Sequence, residues 1–165
     1  MIFVTVGTHE QPFDRLIKCI DRLAEENIVK DEFVVQTGYS GYVPRFCEYR
    51  CFFPYDDMIR YIDRARIVIT HGGPSSFMPA LERNKIPIAV PRRRKFGEHI
   101  NDHQFDFVRR FSEIQGNIIL AECYSDIKES IVHYDEIVGN MRKQFISNNA
   151  AFTANIERLA TELVK

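Results

Sequence analysis

The chain has 165 residues, of which 45% are hydrophobic, and a formal net charge of −1. This length and composition predict one globular domain rather than a disordered chain, and the near-zero charge gives no reason to expect nucleic acid as a partner. No apolar stretch approaches the roughly 20 residues that a transmembrane helix requires, and the four cysteines show no paired C-x-x-C spacing, so we expect a cytoplasmic protein with reduced thiols.

The first third of the chain alternates strand and helix patterns. Residues 2–6 form a β-rich run that ends at Gly7, and from residue 13 apolar side chains recur at helical spacing. Further strands are predicted at residues 32–37 and 49–53. This order predicts a right-handed parallel β-α-β unit.

The central part continues the alternation. A helix over residues 55–64 leads into a strand over residues 67–70, which stops at a Gly-Gly turn. A helix follows, in which we expect Pro79 within the first turn, where its missing N–H is harmless. The remaining patterns predict a strand at residues 86–91, a basic loop at 92–97, a helix at 101–111 and a last strand at 117–121.

The tail contains helical patterns at residues 125–134 and 136–163 and no further strand signal. There is no internal repeat or linker composition, so residues 1–165 are predicted to form a single domain. We predict an α/β fold with a doubly wound, mostly parallel sheet of about six strands and a helical C-terminal tail at about 125–165. In such sheets ligands bind beyond the carboxyl ends of the strands.

One polar loop at that edge follows the strand at residues 67–70. Its Gly-Gly turn would direct backbone N–H groups out of the sheet, which suits a phosphate. The loop lacks the lysine of a P-loop and the spacing of a dinucleotide fingerprint, so neither nucleotide hydrolysis nor hydride transfer is favoured. A plain strand-to-helix turn with Ser75 or Ser76 as the N-cap is the alternative, and His71 before the glycines favours binding.

A second polar cluster lies some thirty residues later and contains more hydrogen-bonding side chains than a solvated loop needs, namely Glu98, His99, Asn101, Asp102, His103 and Gln104. It predicts a sugar site. His99 and His103 also permit a metal site, but no H-E-x-x-H pattern supports one, and a Ser-His-Asp triad lacks the G-x-S-x-G elbow. The basic run at residues 92–95 is either a solvated loop or a contact to a diphosphate, an acidic partner or anionic lipid.

Three blocks of sequence resemble, in the same order, the donor-binding half of family 28 glycosyltransferases. The blocks are Val4-Thr5-Val6-Gly7-Thr8-His9 with Phe13-Asp14-Arg15-Leu16, Thr70-His71-Gly72-Gly73-Pro74-Ser75-Ser76-Phe77-Met78, and Val90-Pro91-Arg92 with Gly97-Glu98-His99-Ile100-Asn101-Asp102-His103-Gln104. The resemblance covers nearly the whole chain. It is greatest to the small subunits of two-component bacterial polysaccharide glycosyltransferases and extends to the donor-binding subunit of the eukaryotic enzyme that adds the second N-acetylglucosamine to dolichol-diphosphate.

The resemblance implies one half of a GT-B enzyme. Such an enzyme transfers a sugar from a UDP-sugar to a lipid-linked diphosphate sugar, with inversion and without a metal or other cofactor. The acceptor-binding half would be a separate membrane-associated subunit that recruits this chain to the inner face of the membrane. The implied activity is β-1,4-galactosyl transfer in capsular or exopolysaccharide synthesis.

One alternative is a non-catalytic nucleotide-sugar binding module that enhances a partner transferase. A UDP-sugar 2-epimerase shares the GT-B plan, but its active site needs both domains, so the length of this chain argues against it. Residues 136–165 combine apolar and polar side chains at helical spacing and are the predicted docking element. Without the partner, this surface would make the isolated chain a homodimer.

The resemblance also implies site residues. UDP and its phosphates would contact Gly7, Thr8, His9, Gly72, Gly73, Pro74, Ser75, Ser76 and Arg92, and uracil would contact Phe53, Tyr55 and Met58. The sugar would face Glu98, His99, Asp102, His103 and Gln104, and catalysis would involve His71, Glu98 and His103 unless the general base lies on the partner. One position departs from the family pattern, because Pro79 replaces the carboxylate that holds the ribose, and Glu82 lies about one turn further along.

Overall fold

A computed structural model describes residues 1–141 as a six-stranded, entirely parallel sheet. The strands are Ile2–Thr5 (β1), Phe33–Gln36 (β2), Glu48–Arg50 (β3), Ile67–His71 (β4), Ile88–Val90 (β5) and Ile119–Leu120 (β6). Their spatial order is β3-β2-β1-β4-β5-β6. The predicted α/β class and the number of strands are confirmed.

Helices cover both faces of this sheet. They are Asp14–Glu25 (α1), Tyr55–Arg64 (α2), Pro74–Leu81 (α3), His103–Gln115 (α4), Tyr124–Val132 (α5) and Tyr134–Gly139 (α6), with one 3₁₀ turn at Arg94–Phe96. Within residues 1–141 no helix is long and apolar enough to cross a bilayer. Most of the predicted helix at 136–163, with the docking and dimer contacts assigned to it, lies outside the described residues.

The core lies on both sides of the sheet because successive strand residues point to opposite faces. Ile2 and Val4 of β1 pack with apolar residues of α1 and α5, whereas Phe3 between them packs with α2 and α3 residues such as Ile62 and Ala80. Every residue of β1, β2, β4 and β5 is buried. A strand that is buried on both faces needs apolar residues at nearly every position, and these four strands have such sequences.

Several predicted boundaries were wrong by a few residues. Pro79 lies in the second turn of α3, because Pro74 already occupies the first helical position and Gly73, not a serine, is the N-cap. Strand β3 ends at Arg50 rather than residue 53, since Phe53 turns into the core against Phe3. Helix α4 begins at His103 rather than residue 101 and buries Gln104 and Val108, with Phe111 packed against the same core.

The connection between β2 and β3 crosses the sheet without a helix, and two carboxylates of α1 hold it. Asp14 accepts the backbone N–H groups of residues 41 and 42 at 2.8 and 3.2 Å. The buried Asp21 accepts the Tyr42 hydroxyl at 2.7 Å and the N–H groups of residues 45 and 46 at 2.9 and 2.8 Å. These bonds fix β3 as the outermost strand on this side of the sheet.

Candidate functional site

A cleft of about 460 Å³ opens at the carboxyl edge of the sheet. Strands β1 and β4 are neighbours and parallel, so the loops that follow them meet there. Ten residues line the cleft: Thr5, Gly7, Thr8, His9, Gln36, Tyr55, Met58, His71, Ser75 and Ser76. Eight of them are among the site residues predicted from the sequence, and Thr5 and Gln36 are not. The structure thus brings residues separated by up to 71 positions into one concave site.

Thr5 and Gln36 end β1 and β2, and their side chains form one network at the base of the cleft. The Thr5 hydroxyl oxygen accepts the Gly7 N–H at 3.1 Å and the Gln36 amide at 3.0 Å. The Gln36 carbonyl oxygen accepts the Phe53 N–H at 2.9 Å. A polar residue that ends an otherwise apolar strand is the sequence signal that could have revealed both.

The His71 ring packs directly against two glycines, Gly7 and Gly73. A Cβ atom built on Gly7 would lie 2.3 Å from His71 Nε2, and one built on Gly73 would lie 2.3 Å from His71 Cε1. Gly7 also has a φ of +74°, a conformation that side chains disfavour. Both positions therefore require glycine because the ring fills the space that a side chain would need.

Hydrogen bonds determine the tautomer of His71. The Gly73 N–H can only donate, and it lies 3.0 Å from Nδ1, so Nδ1 is the acceptor. The proton then resides on Nε2, which donates to the Ser76 hydroxyl oxygen at 2.6 Å. Nδ1 also lies 3.4 Å from the Gln104 side-chain oxygen, but two acceptors face each other there, so this approach is not a hydrogen bond. Burial, and secondarily the charge of Arg92, lowers the pKa of His71 to about 4, so the ring is neutral near pH 7.

Gly72 is required for packing between neighbouring elements. A Cβ at this position would lie 3.1 Å from the side chain of Gln104 and 3.1 Å from Pro91. The end of β4 can therefore approach the end of β5 and the first turn of α4 only because residue 72 lacks a side chain. Both glycines of the Gly-Gly turn thus have a packing reason that is independent of any ligand.

Arg92 was predicted to contact the phosphates, but it is 1% exposed and does not line the cleft. The guanidinium donates to the carbonyl oxygens of Val6 and Gln11 at 3.0 and 2.7 Å and also reaches those of Pro12 and Glu98. Burial lowers its pKa to about 10, so the group still carries its charge near neutral pH. Arg92 holds the loop after β1 and supplies a buried positive charge.

Glu98 was predicted to face the sugar and to take part in catalysis, but it is buried and fully engaged. Its two carboxylate oxygens accept the Arg15 guanidinium at 2.8 and 2.9 Å, and one also accepts the Arg93 N–H at 3.0 Å. Asp102 is similarly engaged by the Arg93 side chain at 3.1 Å and the Arg94 N–H at 2.9 Å. The carboxylates of the second polar cluster therefore order the basic loop.

Three histidine rings contact one another beside the cleft, one pair tilted and the other edge to face. The ring of His99 lies 4.8 Å from that of His9 and 4.5 Å from that of His103, measured between centroids. His9 accepts the Gln11 N–H at Nδ1, at 3.1 Å, so in the neutral ring its proton is on Nε2. The Asn101 side-chain oxygen accepts both the His103 N–H and its Nδ1–H, so His103 Nε2 carries a lone pair. Among the three predicted catalytic residues, only His103 keeps a ring nitrogen or carboxylate oxygen free for chemistry.

The remaining predicted contacts divide between the cleft and the core. Tyr55 and Met58 line the cleft. Phe53 does not line it, because its ring is buried against Phe3 and Tyr61. The Gln104 side-chain oxygen accepts the Arg92 N–H at 3.2 Å and lies on the inner side of α4. Among residues 1–141, no three His, Cys, Asp or Glu side chains converge in an arrangement that could hold a metal ion.

Comparison with known proteins gives a family match over nearly the whole chain. The family model described as glycosyltransferase family 28 C-terminal domain matches residues 1–159. The human protein named UDP-N-acetylglucosamine transferase subunit ALG13 is 30% identical over 131 residues, which cover 74% of this chain and 11% of that protein. The mouse protein of the same name is 29% identical over 132 residues, which cover 73% of this chain and 10% of that protein. The chain spans about a tenth of the length of these curated relatives.

Solved structures match the fold. The glycotransferase of kitacinnamycin superimposes with a TM-score of 0.62 at 14% identity, covering 84% of this chain and 35% of that one. CalG4, the calicheamicin glycosyltransferase, gives a TM-score of 0.61 at 16% identity, and the match covers 99% of this chain and 44% of that one. The glycosyltransferase SnogD from Streptomyces nogalater gives a TM-score of 0.55 at 18% identity, and the match covers 96% of this chain and 43% of that one. At these identities the likeness shows a shared fold, which is one half of the GT-B plan.

Proposed function

This chain belongs to the family of glycosyltransferase family 28 C-terminal domains, and from that membership we propose that it is the donor-binding and catalytic subunit of an inverting glycosyltransferase that uses a UDP-sugar. One observation carries the proposal. The cleft at the carboxyl edge of the sheet combines hydroxyl and imidazole donors with the buried charge of Arg92, which is bonded to the loop after β1 and acts on His71. A diphosphate needs such donors and such a positive field.

Two groups of lining residues suggest an orientation for the proposed donor. Thr8, Ser75 and His9, whose Nε2 carries the proton in the neutral ring, line the cleft and would donate to the diphosphate. Tyr55 and Met58 also line the cleft and would contact uracil. The sugar would then lie toward His99 and His103, beyond His9.

In the proposed reaction an acceptor hydroxyl oxygen attacks the anomeric carbon, the bond from that carbon to the UDP oxygen breaks, and UDP leaves as an anion. The hydroxyl proton passes to a general base. His103 presents a free Nε2 lone pair at the rim of the site, so we assign this role to His103 or to a residue of the acceptor-binding subunit. The charge of the leaving diphosphate is stabilised by the donors of the cleft and the buried guanidinium.

The finer proposal concerns the substrates and the partner. The acceptor is a lipid-diphosphate-linked sugar, the transferred sugar is galactose in a β-1,4 linkage, and the product enters a capsular polysaccharide or exopolysaccharide. A membrane-associated subunit binds the acceptor and recruits this chain to the cytoplasmic face of the membrane. This finer proposal is supported by the sequence resemblance to small subunits of two-component transferases. The curated relatives are also named as subunits of a transferase.

A second candidate function is a non-catalytic nucleotide-sugar binding module that enhances a partner transferase. Two observations favour it. Pro79 stands where a ribose-binding carboxylate is expected, and two of the three predicted catalytic side chains, His71 and Glu98, are engaged in contacts that order the protein.

Calorimetric titration of the full chain with UDP, without added divalent metal, tests the donor site. We expect saturable binding that His9→Ala weakens about tenfold or more, because a charge-assisted hydrogen bond is lost. The matched control is His133→Ala, an exposed histidine at the end of α5. Absence of UDP binding at millimolar concentration, or equal loss in both variants, would contradict the donor-site proposal.

Turnover separates the two candidate functions. With the acceptor-binding subunit and a lipid-diphosphate sugar acceptor, wild-type protein should release UDP from UDP-galactose. If His103→Ala abolishes turnover while UDP binding persists, this chain is catalytic. If UDP binds but His103→Ala leaves turnover unchanged, the base lies on the partner, and the binding-module function gains support.

A further inference from the structure

Exposed apolar side chains concentrate around the outermost strand. Eleven large hydrophobic residues are exposed in residues 1–141, and six of them lie between positions 39 and 55: Tyr39, Val43, Phe46, Tyr49, Phe52 and Tyr55. Phe46 and Phe52 are 52% and 41% exposed. Five of the six are aromatic, and Tyr55 also lines the cleft. A concentration of exposed apolar side chains beside an open strand edge is typical of an interaction surface.

The sequence across β3 is nearly symmetric about Tyr49. It reads Phe46-Cys47-Glu48-Tyr49-Arg50-Cys51-Phe52, so residues at equal distances from Tyr49 are identical, except that Glu48 is balanced by Arg50. When two copies of a strand pair antiparallel about a two-fold axis through one residue, residues at equal distances on either side lie opposite each other. Here Glu48 would oppose Arg50 of the other copy twice, and the two tyrosines would oppose each other.

The backbone of β3 has the orientation that this pairing needs. The carbonyl oxygen of Arg50 accepts the Thr37 N–H at 2.9 Å, so Arg50 directs its backbone groups toward β2. Adjacent residues of a strand direct these groups to opposite sides, so Tyr49 directs its N–H and C=O to the open edge. The one residue that can form a reciprocal pair of backbone hydrogen bonds across the edge is therefore the centre of the sequence symmetry.

We propose that two copies of this chain associate through antiparallel pairing of β3 with β3, joining two six-stranded sheets into one continuous sheet of twelve strands. Tyr49 of each copy exchanges both backbone hydrogen bonds with Tyr49 of the other. Glu48 pairs with Arg50 across the two-fold axis, and Phe46 of each copy packs against Phe52 of the other at the two ends of the paired strands.

A groove beside the open edge adds charge complementarity. It has a volume of about 360 Å³ and lies between β3 and α2, and its charged lining residues are three arginines and two aspartates: Arg50, Arg60, Arg64, Asp57 and Asp63. Both aspartates have salt bridges, Asp57 to Arg60 and Asp63 to Arg83. Glu48 of the second copy would approach Arg50 at the rim of this groove and give its guanidinium an acidic partner.

Charge exchange tests the pairing. Wild-type full-length chain should dimerise reversibly in sedimentation velocity experiments over the micromolar range. Glu48→Arg and Arg50→Glu each place like charges opposite each other twice and should raise the dimer dissociation constant about tenfold or more. The double variant with both changes restores opposite charges and should restore the dimer. Matched controls on α4 are Glu113→Arg and Arg110→Glu, both exposed, which should not change the dimer.

A crosslink tests the register. In a hydrogen-bonded antiparallel pair the two Cα atoms lie about 5.5 Å apart, within the range that a disulfide spans. With the exposed Cys51 and Cys123 changed to serine, Tyr49→Cys should form a covalent dimer on mild oxidation, and Arg110→Cys should not. A wild-type chain that stays monomeric, a dimer that survives both single charge changes, or failure of the double variant to dimerise would each overturn the proposal.

Discussion

Replacing Gly73 with alanine should damage the site through His71 alone. The backbone at Gly73 has φ −83° and ψ 132°, which alanine adopts freely, so the cost arises from the new Cβ at 2.3 Å from the ring. The ring must move, and its hydrogen bonds to the Gly73 N–H and to Ser76 are strained or lost. At about 1 kcal/mol for each bond and about 1–3 kcal/mol for overpacking, we expect the free energy of unfolding to fall by roughly 3–5 kcal/mol.

A double-mutant cycle isolates this cause. In a His71→Ala background the ring is absent, so Gly73→Ala should cost less than about 0.5 kcal/mol, or stabilise slightly through the unfolded chain. Urea unfolding measures all four proteins, and UDP titration should show the same coupling. Gly139→Ala, whose added Cβ meets no atom within 4 Å, is the control and should have little effect. Additive costs at positions 71 and 73 would refute the reasoning.

Two further predictions concern buried ionisable groups. The pKa of His71 is lowered by burial from an ordinary 6.5 to about 4, so the unfolded chain takes up a proton at higher pH than the folded one. The free energy of unfolding should therefore be unaffected by His71 above pH 6.5 and should fall by about 3 kcal/mol as the pH drops from 6.5 to 4. Urea unfolding at pH 6.5 and at pH 4 should show this loss. In the His71→Asn variant this part of the pH dependence should be absent. Glu98→Gln should lower the free energy of unfolding by about 3 kcal/mol, because Arg15 loses its partner, and the cost should shrink in an Arg15→Met background; full stability in Glu98→Gln would contradict the structural role given to this carboxylate.

The sequence predicted the strand and helix alternation because each element carries a clear periodicity of apolar residues. The position of the cleft followed from a general property of parallel sheets, since polar loops at the carboxyl ends of neighbouring strands must meet. The eight predicted residues that line the cleft were named from the resemblance to family 28 glycosyltransferases, which the sheet property alone could not have supplied. The exact ends of β3 and α3 could not be predicted, because they depend on where Phe53 enters the core and on which of two prolines begins the helix.

The roles of charged residues were harder to predict than their location. Glu98 and Arg92 lie in the expected loops, but their partners are distant in sequence: Arg15 is 83 residues from Glu98, and the Val6 carbonyl is 86 residues from Arg92. Local patterns contain no information on such pairs. Gly73 shows the same limit, because a glycine that makes room for an imidazole and one that admits a phosphate are identical in sequence.

The pairing of β1 with β4 has a consequence for how the protein is made. These two strands lie side by side in the sheet, yet Thr5 and its partner Thr70 are 65 residues apart in the chain. The loop after β1 gains its opposite wall only when β4 inserts beside it, after some seventy residues have left the ribosome. A shorter fragment lacks the wall formed by His71, Ser75 and Ser76, so a bound nucleotide would stabilise the assembled sheet and not an intermediate that precedes it.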